Sequence, residues 1–315
     1  MSRPRLLITG AGGFCGEHAC RYFSASGWDV TALVRRLPSE GESSWLEQAS
    51  LVLDGDLILP EEADDIVAQA QPEYVLHLAG KNAVAPSWVA PIDTLQSNVM
   101  GTVNLLEAVR KLAGSGLNCR VLVVGSMLRF HLPPEGTAPV PPHPYSLSKT
   151  MQVLAAQSWS ALYGMPVVVA EPSNLIGPGR SSGLCTLLAR YAAMMERAEA
   201  GCGERPQPMK LSSRTETRDV LDVRDAIRAY ELLLLHGHEG GIYPVASGVM
   251  HPLGELADIF SSLIACPLEF DIGSSDAPSP LPVHCQAVRS LGWSPAIPLR
   301  QSLEDVLNDA RRLDC

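Results

Sequence analysis

Leu6-Leu7-Ile8-Thr9-Gly10-Ala11-Gly12-Gly13-Phe14-Cys15-Gly16 is the stretch that decides the fold. Strand-forming residues run straight into a loop with glycines at 10, 13 and 16, and a helix-like pattern follows over 16–26. Gly10 permits the sharp turn out of the strand. Gly13 lets the backbone approach a pyrophosphate, and Gly16 lets helix and strand pack closely. The helix N-terminus then offers free N–H groups and a partial positive charge to phosphate. This predicts a dinucleotide site built from Gly10, Gly12, Gly13, Phe14, Cys15 and Gly16.

Outward from the loop, short apolar runs at 6–9, 29–34, 50–53, 74–78, 120–124 and 166–170 read as strands. They show little polar alternation, as strands covered on both faces do. Helix-like stretches lie between them at 61–69, 95–112 and 146–162. The alternation predicts an α/β fold, a Rossmann-like doubly wound parallel sheet with right-handed crossovers. After Gly177-Pro178-Gly179 the texture changes. Helices are expected at 184–198, 223–235 and 253–265, a strand at 241–245, a polar stretch over 201–208 and an extended loop over 274–282. We read 1–177 as a cofactor-binding domain carrying the catalytic helix. Residues 178–315 are read mainly as a smaller, irregular substrate-binding lobe over the carboxyl edge of the sheet, with some segments returning to the first domain.

The 315 residues are 46% hydrophobic and 18% charged, an ordinary globular composition. A net charge of −10 argues against nucleic-acid binding, which needs basic patches. No apolar stretch approaches the roughly 20 residues of a membrane span, and no signal-peptide cleavage site follows the first residues. A cytoplasmic protein is expected. Cys15, Cys20, Cys119, Cys185, Cys202, Cys266, Cys285 and Cys315 form no C-x-x-C pair and show no zinc spacing. They read as reduced, buried small hydrophobes in preference to a disulfide framework. His236 and His238 read as solvent-facing loop residues, and no metal is expected.

The second strand ends in Leu33-Val34-Arg35-Arg36, where NAD-preferring sites carry an acid. Arg35 and Arg36 suit the extra phosphate of NADP and favour NADP(H) over NAD(H), the alternative being two solvated surface arginines. Asp56, in Asp54-Gly55-Asp56-Leu57, is placed to touch the adenine. Tyr145-Ser146-Leu147-Ser148-Lys149 follows a proline-rich loop. Its i, i+4 spacing sets both functional groups on one helix face. A nearby ammonium stabilises phenolate, so the Tyr145 pKa is expected to fall toward working pH. The strand at 121–124 ends in Gly125-Ser126, whose hydroxyl is suited to orient a reacting oxygen.

Together these residues resemble the extended short-chain dehydrogenase/reductase family that modifies nucleotide sugars. Further support comes from His77-Leu78-Ala79-Gly80, Asn98-x-x-Gly101-Thr102-Val103-Asn104, Asn174-x-x-Gly177-Pro178-Gly179, Arg218-Asp219-x-x-Asp222 and Leu291-Gly292-Trp293. Within the family the chain looks most like GDP-4-keto-6-deoxy-D-mannose reductases, on Ala79-Gly80-Lys81, Ser87-Trp88, Ser126 and the 218–225 stretch. The resemblance implies that Tyr145 is the general acid, that Lys149 tunes it and holds the nicotinamide ribose, and that Ser126 binds the ketone. It adds Leu57, Leu78, Ala79, Gly80, Lys81, Asn98 and Pro172 to the cofactor site. It sets Lys81, Met127, Asn174, Arg180 and Arg218 against the nucleotide sugar, with Arg218 on its diphosphate. Arg218 could instead pair with Asp219, Asp222 or Asp225, and Asn98 could cap or pack a helix. A homodimer through the 95–112 and 146–162 helices is also implied.

Three departures from the family pattern stand out. Met127-Leu128-Arg129-Phe130-His131 replaces the usual acidic residues and Tyr-Gly, with Leu128 where dehydratases carry a glutamate. Glu171 stands where relatives have an arginine. Ser274-Ser275-Asp276-Ala277-Pro278 lacks a second diphosphate-binding arginine, for which Arg180, Arg190 and Lys210 are candidate replacements. The expected activity is NADPH-dependent reduction of a nucleotide-linked 4-keto-6-deoxyhexose, GDP-linked by preference. The rival readings are a nucleotide-sugar 4-epimerase with retained NAD and a non-catalytic NADP(H) sensor on the same fold.

Overall fold

The computed structural model describes residues 3–37, 46–113, 116, 118–275 and 279–313. The chain divides into two compact units, Met1–Pro172 with Ala229–Tyr243, and Ser173–Arg228 with Pro244–Cys315.

The first unit alternates strand and helix. The strands are β1 (Arg5–Thr9), β2 (Asp29–Val34), β3 (Leu51–Asp54), β4 (Tyr74–His77), β5 (Arg120–Val124) and β6 (Val167–Pro172). The helices are α1 (Phe14–Ala25), α2 (Pro60–Ala70), α3 (Val84–Val89), α4 (Pro91–Leu95), α5 (Gly101–Ala113) and α6 (Pro144–Tyr163). With β10 (Ile242–Val245) the sheet has seven strands in the order β10-β6-β5-β4-β1-β2-β3. Pairings from β3 through β6 are parallel. The strand order reverses at β1, so the loops after β1 and β4 flank the crevice where such sheets bind ligands. Leu7, Val75, Val121, Val123, Val167 and Val169 from the sheet pack with Ile66, Leu105, Leu106 and Val109 of the helices.

The helix expected at 95–112 is not one regular α-helix. Residues Gln96–Met100 form a π-helical segment between α4 and α5, a widening common near functional sites. Pro91 opens α4 at its first turn, where its missing N–H costs nothing.

The second unit is more regular than the sequence suggests. It holds β7 (Asn174–Ile176), α7 (Leu184–Glu199), β8 (Met209–Leu211), β9 (Thr217–Asp222), β11 (Met250–Pro252), α9 (Leu253–Leu263), β12 (Phe270–Ile272), α10 (Gln286–Arg289) and α11 (Leu299–Leu313). The remaining helix, α8 (Val223–His236), carries the chain from this unit back to the first. The small sheets are ordered β11-β9-β7 and β12-β8. α11 buries Leu303, Val306, Leu307 and Ala310, an i, i+3, i+4, i+7 stripe, against Leu188 and Ala192 of α7 and Leu256 and Phe260 of α9. The loop expected at 274–282 is irregular in its described part, and residues 276–278 lie outside the described residues.

Cys15, Cys20, Cys119, Cys185, Cys202, Cys266 and Cys285 are free thiols, with Cys202 exposed, and Cys315 lies outside the described residues. Among the described residues no helix is long and apolar enough to cross a membrane.

Candidate active site

β1 delivers the chain into Gly10, which has φ +68°, and a side chain there would strike Ala79 N at 2.7 Å. Gly16 is tighter still, since a Cβ would lie 2.3 Å from Gly10 O. Gly12 and Gly13 are exposed, Phe14 and Cys15 half-buried. Gly13 is the N-cap of α1, and no side chain caps it. The first-turn N–H groups are therefore presented toward an external anion, and the bare backbone around them leaves room for a phosphate. That cradle fits a dinucleotide pyrophosphate.

Arg35 and Arg36 are exposed just past β2. Asp56 is partly buried, its backbone N–H donating to Glu62 Oε2 at 2.7 Å, and Leu57 is buried. Leu78 and Ala79 lie half-buried after β4, and Ala79 N donates to Thr9 Oγ1 at 3.2 Å. Gly80 turns with φ +154° against Asn98 Oδ1, where a Cβ would come within 2.7 Å. Lys81 forms an ion pair with Asp93 at 3.3 Å. Asn98 is fully buried inside the π segment and caps nothing. Its Oδ1 accepts from Lys81 N at 2.7 Å, and its Nδ2 donates to Ser148 Oγ at 2.9 Å. The asparagine thus ties the 78–81 loop to α6.

Helix α6 is set by its own start. His143 accepts from Ser146 N at 2.9 Å and Pro144 occupies the first turn. Tyr145 N donates to Ser87 Oγ at 3.1 Å, which accounts for the Ser87 of the sequence motif. Tyr145 and Lys149 are 4% and 6% exposed and Ser126 is 8% exposed. The Tyr145 hydroxyl neighbours the Ser126 side chain, which favours its ionised form. The Cys15 side chain of the glycine loop lies close to both Tyr145 and Lys149. The structure therefore gathers Ser126, Tyr145, Lys149, Cys15, Gly80 and Asn98 into one place.

The sequence-based expectation for the Tyr145 pKa needs correction. Burial raises it, and the neighbouring Ser126 hydroxyl only partly offsets that. The Lys149 ammonium instead donates to Gln152 Oε1 at 2.8 Å and to Val124 O at 3.2 Å, and burial lowers its own pKa to about 8. Gln152, fully buried, escaped the sequence reading. Its position three residues past Lys149 was the only signal that could have found it.

The segment after Ser126 is held on both sides. Phe130 N donates to Thr150 Oγ1 at 3.1 Å, and Arg129 pairs with Glu171. Two departures from the family pattern are therefore one contact, a cation after Ser126 meeting an acid on β6. Leu128 is exposed and Met127 half-buried, with Met127 N donating to Pro172 O at 3.2 Å.

In the second unit, Asn174 is exposed on β7 and donates from Nδ2 to Asp219 O at 2.8 Å. Arg180 is exposed. Arg218 pairs with Glu216 at 2.7 Å and donates to Thr217 O at 2.8 Å. Its ion-pair partner is thus Glu216 and none of the aspartates Asp219, Asp222 or Asp225. Asp219 accepts from Ser247 and Gly248, Asp222 pairs with Arg224, and Asp225 pairs with Arg228. Among the described residues no group of three or more His, Cys, Asp or Glu is arranged to hold a metal.

The NAD dependent epimerase/dehydratase family matches residues 6–246. GDP-6-deoxy-D-mannose reductase of Pseudomonas aeruginosa is 30% identical over 317 residues, spanning 97% of this chain and 96% of that enzyme. dTDP-glucose 4,6-dehydratase 1 of Escherichia coli is 28% identical over 76% of this chain and 71% of its own. The structure of RMD from Pseudomonas aeruginosa complexed with NADPH superposes with a TM-score of 0.80 at 28% identity, covering 99% of this chain and 98% of the other. UDP-glucose 4-epimerase of Thermus thermophilus with NAD shares the fold, with a TM-score of 0.79 at 22% identity over 98% of this chain and 99% of its own.

Proposed function

The chain belongs to the NAD dependent epimerase/dehydratase family, and on that premise we propose that it reduces a 4-keto-6-deoxy nucleotide sugar of the GDP-4-keto-6-deoxymannose type with NADPH. The observation that carries this reading is the buried Ser126–Tyr145 pair, with Lys149 one helical turn along and the glycine-loop residue Cys15 beside both.

Gly10, Gly12, Gly13 and the start of α1 would hold the reduced dinucleotide, which would supply the hydride for the ketone carbon. Ser126 holds the ketone oxygen, and Tyr145 gives that oxygen its proton. Burial keeps the phenol protonated at neutral pH, which is the state a proton donor needs. The Lys149 ammonium, charged at pH 7 with a pKa of about 8, stabilises the phenolate left behind. Leu128 carries no transferable proton, which supports reduction over dehydration. Exposed Arg35 and Arg36 are free to meet a 2′-phosphate, which supports NADPH over NADH. Within the second unit, Asn174, Arg180 and Arg218 are the residues suited to a nucleotide diphosphate. Exposed Met151, Leu154 and Leu162 on one side of α6 support pairing of two copies through α5 and α6.

The test is the loss of reduced-cofactor absorbance on adding GDP-4-keto-6-deoxymannose, with NADPH and NADH compared and Tyr145→Phe as control. Oxidation of NADPH that disappears in the variant is expected. No oxidation despite measured NADPH binding would refute the substrate assignment. Purification with tightly held NAD and interconversion of 4-epimers would replace reduction with epimerisation.

A further inference from the structure

The ammonium of Lys149 is one end of a chain of buried polar groups that runs to the middle of the sheet. Gln152 Nε2 donates to Thr102 Oγ1 at 2.9 Å, Thr102 Oγ1 lies 2.8 Å from His77 Nε2, and His77 Nδ1 lies 2.8 Å from Thr9 Oγ1. Thr9, His77, Thr102 and Gln152 are each 1% exposed or less, so these contacts must satisfy one another without solvent.

The direction of every bond follows. Thr102 has one hydroxyl proton, and its 2.8 Å contact with Asn98 O consumes it, because a carbonyl only accepts. Thr102 Oγ1 must then accept from both other neighbours. His77 therefore carries its proton on Nε2, and its bare Nδ1 accepts from Thr9, whose oxygen accepts from Ala79 N at 3.2 Å. The same constraint forces Gln152 to turn its amide NH2 to Thr102. Only its oxygen is left for Lys149, which the 2.8 Å contact uses. A reversed amide would set donors against an ammonium at one end and two acceptors together at the other.

We infer that Gln152 is a positioning residue for Lys149, its amide locked through Thr102 and the Nε2–H tautomer of His77 so that an acceptor always faces the ammonium. The inference rests on the reading of Lys149 as the residue that meets the cofactor ribose and the proton donor. The chain holds Lys149 and does not drain it, because an amide at its first link passes no proton. The titratable groups around the ammonium on the neighbouring elements are neutral at pH 7. These are the Cys15 thiol on α1, pushed up to about 12, His77 on β4, pushed down to about 3, and the raised Tyr145 phenol on α6. The neutral acceptors Gln152 Oε1 and Val124 O are thus what opposes the desolvation of the charge.

The test is the pH dependence of NADPH affinity, measured by titration calorimetry on the full chain without any sugar. Wild type should lose affinity as pH rises through about 8, and Lys149→Met should lack that limb. Gln152→Glu is near-isosteric and sets a carboxylate on the ammonium, so its midpoint should rise by about one pH unit or more. Gln152→Met should lower the midpoint, and Thr102→Val, which removes the acceptor for the amide, should move it the same way. Should Gln152→Met fail to fold, Gln152→Glu carries the comparison. A midpoint unmoved in Gln152→Glu, with the limb lost in Lys149→Met, would overturn the inference. A limb retained in Lys149→Met would overturn both the inference and the role of Lys149 beneath it. Failure to turn over any keto-sugar leaves this binding profile untouched, so the substrate reading fails separately.

Discussion

Alanine at Gly13 should separate cofactor binding from folding, because the backbone there already suits an ordinary residue. Gly13 has φ −89° and ψ 168°, is exposed, and an added Cβ meets only Gly10 O at 3.2 Å. In the cofactor-free protein the change should be close to neutral, within about 0.5–1 kcal/mol, the size of the chain-entropy gain from replacing glycine. A methyl there adds bulk beside the uncapped N-terminus of α1, where a pyrophosphate would be held. Pushing the phosphates off those N–H groups should cost about 2–3 kcal/mol, roughly 30- to 150-fold in Kd. Gly16→Ala makes the contrast. Its Cβ would lie 2.3 Å from Gly10 O and 2.6 Å from Ala11 O, all backbone, so stability should fall by about 1–3 kcal/mol or more along with binding. Fluorescence titration with NADPH and thermal melting of both variants measure the two effects. A Gly13→Ala protein that melts normally and binds NADPH as wild type does would refute the placement of the pyrophosphate on this loop.

Acid should destabilise the protein through His77. Burial holds its pKa at about 3 against 6.5 when free, so the unfolded state alone takes up the proton as pH falls below 6.5. Between pH 6.5 and about 4.5 that should remove about 2–3 kcal/mol, and His77→Asn should flatten this dependence in urea titrations. Arg129→Met or Glu171→Leu alone should cost about 3 kcal/mol by stranding a largely buried charge, while the double variant recovers most of it in chemical denaturation. Glu216→Gln should tighten GDP binding roughly fivefold, or about 1 kcal/mol, by releasing Arg218 from its ion pair, and Arg218→Met should weaken it, both read by calorimetry at low salt.

The features legible in sequence were those carried by local pattern. The glycine loop, the strands β1 to β6 and the Tyr145–Lys149 spacing each announce themselves within a few residues. Three-residue strands such as β7 and β8 are too short for any periodicity to register. The helix α11 was not expected from sequence, because its charged remainder masks the 303, 306, 307, 310 stripe. The π segment at Gln96–Met100 carries Asn98, which bonds Lys81 and Ser148, contacts that no local pattern displays. The same holds for Arg129 and Glu171, which are 42 positions apart. Each looked like an isolated oddity in the sequence, and their pairing is the explanation of both. Arg218 misled for the opposite reason, since three aspartates follow it and the residue it meets is the glutamate two positions before.

The central claim is hydride transfer into the sugar ring, and isotopic labelling tests it most directly. NADPH carrying deuterium at its transferable position, incubated with the protein and GDP-4-keto-6-deoxymannose, should yield a sugar with one deuterium on the former ketone carbon. The Tyr145→Phe protein should yield almost none. An unlabelled sugar with the label retained on the cofactor would contradict the account.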